Sequence, residues 1–397
     1  MRRAKPTSLA PSAPLRNSVR LQLLRLAGRT LARTGPARGG QPRRVLLLRP
    51  DHVGDVLLTA PAVALVRASL PAAHLTYLVG PWSVAAARHG PPVDRLRALP
   101  YPGFTRQPSL NALAPYLLLL REAARLRRET YDLALIFRPD HWWGALLALV
   151  AGIPLRVGGD TPETAPLLTH VLASTARQHA ADQALDLARR ALEAANVVPI
   201  TPPVEPAPFH IPEQARAAAA DLWRRLALDG QRVVAIQPSA GAVLKSWPVQ
   251  RWAQLADALL DDHLAVVLVG APDDGPLLSA VLSHMHNPAP LVHGQPLELS
   301  AAIYQRSSLL VAVVSGAAHL AAAVSTPTVR LYGPAPVTSF GPWPPRPDQR
   351  VLVTSKLACV PCGNLESPPC GARKNPACML ALDVDDVRNS VQEQLHP

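Results

Sequence analysis

Residues 309–334, LLVAVVSGAAHLAAAVSTPTVRLYGP, read in one run as a strand, a tight turn, a short helix and a second strand. The segment 309–314 is short, apolar and Val-rich, the composition of a strand that a parallel sheet buries on both faces. Ser315-Gly316 turns the chain, and Gly316 lets a ligand come close to the backbone. Helix from Ala317 to Val324 opens directly after the turn, so its unpaired N–H groups and positive dipole end point beyond the strand's carboxyl end. His319 lies in its first turn, and Gly333-Pro334 breaks the second strand at another place where a ligand could lie. A βαβ unit of this kind demands a parallel sheet, and an anion is its natural guest. Ser315, Gly316, Ala317, Ala318, His319 and Gly333 would meet that anion.

The same alternation runs through the chain. RVLLLR at 44–49 is a buried strand, PDHVGD at 50–55 the loop beyond it, and helix follows from Val56 with an apolar face of Leu57, Leu58, Ala62, Leu65 and Val66. There is no GxGxxG fingerprint, and Asp55 at the helix start suits a capping carboxylate. Further strands are expected at 75–79, 95–99, 133–137 and 156–158, with helices between them including 110–129. Pro-dense TPPVEPAPFHIP at 201–212 can continue neither helix nor sheet and marks a domain boundary. After it comes a strand at 232–236, then a loop, 237–248, that holds Ser239 and Lys245. A small, glycine-containing loop with one lysine suits a diphosphate. Lys245 is one of four lysines in a chain that otherwise uses arginine; either the position needs a compact ammonium or it is an exposed surface residue. A strand at 264–270 leads to Asp273 and Asp274, each of which could cap the next helix.

Net charge is +12, but eleven cations and no acid fall in residues 1–44, so the body is almost neutral and a nucleic-acid partner is excluded for it. This arm carries an expected helix at 15–33. It is either a weak electrostatic contact with an anionic membrane face or a disordered extension. It lacks the apolar core and cleavage site of a signal peptide, and the longest apolar run, 142–155, is too short to cross a bilayer. A cytoplasmic protein is expected, peripheral at the inner face of the membrane if the arm binds lipid. Cys359, Cys362, Cys370 and Cys378 lie within twenty residues. In a reducing compartment that clustering favours thiolate ligation over disulfides, and both a structural zinc and unligated thiols remain open.

Three stretches carry a resemblance. Ser315-Gly316-Ala317-Ala318-His319-Leu320 followed by Pro327 and Tyr332-Gly333-Pro334, the pattern Arg49-x-x-x-Val53-Gly54-Asp55-x-Leu57-Leu58-x-x-Pro61-Ala62, and Lys245-x-Trp247-Pro248 resemble glycosyltransferase family 9, the ADP-heptose:lipopolysaccharide heptosyltransferases. The family usually has an aspartate before the Ser/Thr-Gly pair, where this chain has Val314. The resemblance implies the GT-B architecture: α/β, two Rossmann-like doubly wound domains facing a cleft. It divides the chain into the basic arm 1–42, an acceptor domain 43–200, the linker 201–212, a nucleotide-sugar domain 213–380 and a terminal helix 381–397. Inverting transfer of a heptose or related sugar from a nucleotide-diphosphate sugar to a lipopolysaccharide core or related glycan is implied, with no catalytic cofactor. Asp55 would be the base and Lys245 the partner of the leaving diphosphate. Arg49 and Gly54 would stand on the acceptor side, Asp273 or Asp274 would receive ribose hydroxyls, and His179 would open the last helix of the first domain. The alternative is a non-catalytic nucleotide-sugar or glycan-binding protein that keeps the fold; a sugar-nucleotide epimerase on the same architecture is a third.

Overall fold

The computed structural model describes residues 13–31, 40–104, 111, 113–173, 178–200, 209–354 and 356–396. In the first domain β1 (Arg44–Arg49), β2 (His74–Val79), β3 (Arg95–Ala98), β4 (Leu133–Ile136), β5 (Leu155–Gly159) and β6 (His170–Leu172) pair in parallel in the order β3-β2-β1-β4-β5-β6. Its helices are α1 (Ala13–Leu31), α2 (Val53–Ser69), α3 (Val84–Arg88), α4 (Ala114–Glu129), α5 (Trp142–Val150) and α6 (Ala180–Ala194). Alternate residues of β1 point to opposite faces. Val45 and Leu47 join Val66 of α2 and Ala188 of α6, while Leu46 and Leu48 join Leu126 of α4 and Leu147 of α5.

The second domain repeats the plan. Strands β7 (Val233–Gln237), β8 (Ala265–Gly270), β9 (Leu291–His293), β10 (Leu309–Val313), β11 (Thr328–Tyr332) and β12 (Gln349–Val353) lie in the order β12-β11-β10-β7-β8-β9, the same 3-2-1-4-5-6 sequence read from the other edge. Helices α7 (Glu213–Arg225), α8 (Val249–Asp261), α9 (Gly275–Ser283), α10 (Leu297–Arg306) and α11 (Gly316–Ala323) alternate with these strands, and α12 (Val337–Phe340), α13 (Ala377–Leu380) and α14 (Val384–Leu395) complete the chain. The terminal helix α14 docks on the body, with Val387 and Val391 buried beside Trp252 and Leu255 of α8. This is the GT-B arrangement of two doubly wound domains.

Three short strands, β6, β9 and β12, escape the sequence reading. They are sheet edges with partly exposed residues, so none has the continuous apolar run of a central strand. A second difference matters for the site: α2 begins at Val53, not Val56, so Gly54 and Asp55 belong to its first turn and not to a preceding loop. The third concerns the arm. Helix α1 is docked, with Leu24 buried against Ala145, Leu149 and Leu167, and Gly28 so close to Pro166 that a Cβ would fall 2.0 Å from its carbonyl oxygen. Residues 13–31 are therefore part of the first domain's surface, whereas 1–12 and 32–39 lie outside the described residues, as do 201–208 of the expected linker. Among the described residues no helix is long and apolar enough to cross a membrane.

Candidate active site

In each sheet the strand order reverses between the first and fourth strands, β1 and β4 in one domain and β7 and β10 in the other. Ligands of open parallel sheets gather at the carboxyl ends of such strands. The two reversal points face each other here. A Cβ built on Gly54 at the start of α2 would lie 3.2 Å from Gly316 Cα and 3.2 Å from His319 Cδ2, and one on Gly316 would lie 3.3 Å from Gly54 N. A Cβ on either residue would meet the opposite backbone more tightly than most side chains do, which favours glycine on both sides of the domain boundary.

The first-domain wall is a charge network around β1. Arg49, almost fully buried, donates from Nη1 to the Phe137 carbonyl at 3.0 Å and pairs through Nε with Asp51 at 2.9 Å and through Nη2 with Asp55 at 3.4 Å. Asp51 also receives Arg138 Nη1 at 2.5 Å. Burial alone would raise the Asp51 carboxyl, but Arg49 and Arg138 outweigh it and hold the group below its ordinary value. Asp55 differs. Burial pushes its carboxyl up, Arg49 pulls against that at longer range, and Asp51 adds to the rise. Its side chain is still 31% exposed, so this more basic carboxylate is the one that a ligand can reach. Position alone made Asp55 a capping residue, yet no side-chain cap bond starts α2.

Sequence reasoning missed Asp51, Arg138 and His141. The signal lay in the loops after β1 and β4, which the reversal of strand order makes neighbours. Both ring nitrogens of His141 are buried without a partner, and burial drives its imidazole down to about 3, so it is neutral.

On the second-domain wall Lys245 ends a 3-10 turn, Val243–Lys245, whose flanks Leu244 and Trp247 are buried. Trp247 donates to the Leu382 carbonyl at 3.1 Å and meets Trp252 edge-on, which fixes the turn and explains the Lys-x-Trp spacing. Burial lowers the Lys245 ammonium, while the charge of Asp55 across the boundary raises it. No ion pair to Lys245 forms within 4.0 Å among the described residues. Ser315 caps α11 in extended conformation, its hydroxyl buried and unpartnered, with the first N–H groups of the helix around Gly316, Ala317 and Ala318 free of helical bonds. His319 is held neutral, well below its usual value, by burial first and then by Arg330, His179 and Lys245. Arg330, also missed, is 0% exposed on β11 and is hydrogen-bonded to the neutral groups Thr328, Gln349 and Tyr332.

Ser239 donates to Asp274 Oδ2 at 2.6 Å, and the same oxygen accepts the Ala271 N–H at 2.7 Å; the pair ties the ends of β7 and β8 together, so the Ser239 proton is already committed. Asp273 is exposed on the turn Pro272–Asp274. Gly333 is needed for packing: a Cβ would sit 2.5 Å from Met379 Sδ and 3.1 Å from Cys378 Sγ. Val314 is buried with Tyr332 and Ala335. Cys359 and Cys370 are exposed and Cys378 is buried, and among the described residues no three His, Cys, Asp or Glu side chains come together to hold a metal ion. His179 caps α6 through Nδ1, and its Nε2 donates to the Gly341 carbonyl of the second domain at 3.1 Å; beside it Trp343 donates to Asp182 at 2.8 Å. These two bonds clasp the domains near the junction of α2 and α11.

The model of glycosyltransferase family 9 (heptosyltransferase) matches residues 119–368. Lipopolysaccharide heptosyltransferase 3 of Escherichia coli is 23% identical over 300 residues, 73% of this chain and 83% of that protein. Lipooligosaccharide heptosyltransferase 2 of Haemophilus influenzae is 24% identical over 322 residues, 78% and 88% respectively. Among solved structures, a glycosyl transferase family 9 protein from Veillonella parvula superposes with a TM-score of 0.72 at 22% identity, covering 89% of this chain and 97% of that one. The ADP-heptose lps heptosyltransferase II of Escherichia coli gives a TM-score of 0.70 at 20% identity, with 89% and 98% covered. These likenesses establish the fold.

Proposed function

The chain belongs to glycosyltransferase family 9, and from that premise we propose that it transfers a heptose or related sugar, with inversion, from an ADP-sugar or similar nucleotide-diphosphate sugar to a hydroxyl of a lipopolysaccharide core or related glycan. The observation that carries this reading is the junction of α2 and α11 at Gly54 and Gly316, with Asp55 and Lys245 on opposite walls and the charge of Asp55 acting on the Lys245 ammonium. The acceptor oxygen attacks the anomeric carbon as the bond to the diphosphate breaks. Asp55 takes the acceptor proton, a task that its raised pKa suits. The electron pair leaves with the diphosphate, whose charge Lys245 and the N–H groups of Ala317 and Ala318 receive. Neutral His319 lines the junction and adds no competing charge there. Arg49 holds Asp55 toward the acceptor, and Asp51 with Arg138 holds Arg49.

Val314 favours a second reading, a binding protein without transferase activity, because a buried valine cannot hold the sugar hydroxyls that a carboxylate would. One experiment separates the two. Release of nucleotide diphosphate is measured over a panel of donors, with and without core oligosaccharide. Acceptor-dependent release supports transfer; saturable donor binding with no release under any condition supports the binding reading.

A further inference from the structure

Helices turn their apolar residues inward, and α4 does so with Leu119, Ala123 and Leu126. Its first half is apolar on the outside as well. Leu113, Tyr116, Leu117 and Leu120 follow the i, i+3, i+4, i+7 spacing of one helix face, and Leu117 and Leu120 are 61% and 58% exposed. On α1, which packs beside α5 as α4 does, Leu23 and Leu26 are also exposed. They continue, at three-residue steps, the row that starts at Arg20, and Arg20 lines a cavity of about 430 Å³ together with Tyr116 of α4. One residue of each row, Arg20 of α1 and Tyr116 of α4, thus lines the same cavity.

Charge around these leucines is mainly positive; Asp140, which lines the cavity, is exposed but paired with Arg138 at 2.6 Å. Arg25 and Arg29 on α1 and Arg121 and Arg128 on α4 are exposed and make no ion pair among the described residues. The acids of α4 are turned away from this surface: Glu122 is buried against Arg97 at 2.6 Å, and Glu129 serves Tyr131 and Arg95. Exposed leucines and a tyrosine beside unpaired arginines have the composition of a surface that lies in the interface of an anionic bilayer.

We infer that α4 and α1 together form a docking surface for an anionic lipid bilayer, with Leu117 and Leu120 inserted and the arginines at the level of the headgroups. The cavity beneath leads inward to Arg138, which bonds Asp51, which bonds Arg49 beside Asp55. Docking therefore sets the cavity mouth against the lipid surface and the charge network of the first domain behind it. The inference stands on surface chemistry and holds whatever sugar is transferred.

The test is flotation of the full-length protein with vesicles of equal phosphatidylglycerol and phosphatidylcholine, against phosphatidylcholine alone. The wild type should float with the anionic vesicles only. L117E/L120E should bind at least tenfold more weakly, with unchanged ADP affinity and melting temperature, and Arg121→Gln with Arg128→Gln should weaken binding most at low salt. Undiminished binding by L117E/L120E would overturn the inference, as would full loss of binding on removal of residues 1–12 alone. A wild-type dimer that L117E/L120E converts to monomer, without vesicle binding by either, would assign the surface to a second copy of the chain and also overturn it.

Discussion

Gly54 and Gly316 meet across the domain boundary at a separation that one methyl group would close, since a Cβ on Gly54 falls 3.2 Å from Gly316 Cα. Alanine at 54 is a better helix former than glycine by about 1 kcal/mol, so α2 itself should not suffer. The obstacle is backbone, which cannot rotate away, so the walls must part by a few tenths of an ångström. Gly54→Ala should lower sugar transfer about tenfold or more, because small misplacement of reacting groups is costly, while the melting temperature holds or rises. Calorimetry and steady-state kinetics on one preparation check this; wild-type turnover would show that the contact is not kept during reaction.

Asp55→Asn should leave ADP affinity at pH 7 nearly intact and reduce turnover by about 10² to 10⁴, the span of a lost general base. The wild-type rate should fall as pH drops through the Asp55 pKa, which burial sets above the usual carboxylate value, and that acid limb should be missing in the residual activity of the variant. A rate unchanged by the substitution would remove Asp55 from the chemistry.

Lys245→Ala should weaken ADP binding by a factor corresponding to about 1.5–3 kcal/mol, the usual worth of a hydrogen bond to a charged group. Binding needs the ammonium form and is lost as pH rises through its pKa. Asp55 raises that pKa, so in Asp55→Asn the loss should begin at lower pH than in wild type. Titration calorimetry of ADP across the alkaline range reads both effects, and identical alkaline profiles would mean that the two charges are not coupled.

Asp51→Asn removes the carboxylate that Arg49 and Arg138 share. Breaking a buried pair from one side costs about 3–5 kcal/mol, and the melting temperature should drop accordingly. Because the folded-state pKa of Asp51 lies below its unfolded value, its contribution is complete above the unfolded value and fades as pH falls through the folded one. The difference in stability between wild type and variant should therefore be greatest near neutrality and shrink in acid, which melting curves from pH 7 downward would record. A constant difference would assign the loss to packing alone.

The sequence was most legible where burial forces a simple pattern. The central strands at 44–49 and 328–332 were readable to the residue because both faces of each are covered, whereas β6, β9 and β12 at the edges carry mixed residues and left no trace. Asp55, Lys245 and Gly316 could be singled out because each follows a strand closely in the chain. Arg138 could not, since it lies 87 positions from Asp51 in the chain and only the pairing of β1 with β4 brings them together. The bond between Ser239 and Asp274 was equally out of reach: their residue types suit a ligand, and only the pairing of β7 with β8 shows that they also meet each other.

Convergence of α2 and α11 also bears on what mutagenesis can see. Each helix start carries roughly half a positive elementary charge on its peptide groups, so two of them meeting amount to about one full charge held by backbone alone. No side-chain replacement removes it. Alanine scanning of this junction would credit Lys245 with most of the attraction for a diphosphate and leave the peptide share uncounted, while every variant kept a substantial residual affinity. Replacing the amides of Gly316 and Ala317 by esters, which deletes one N–H donor at a time, would expose the part of recognition that the genetic code cannot edit.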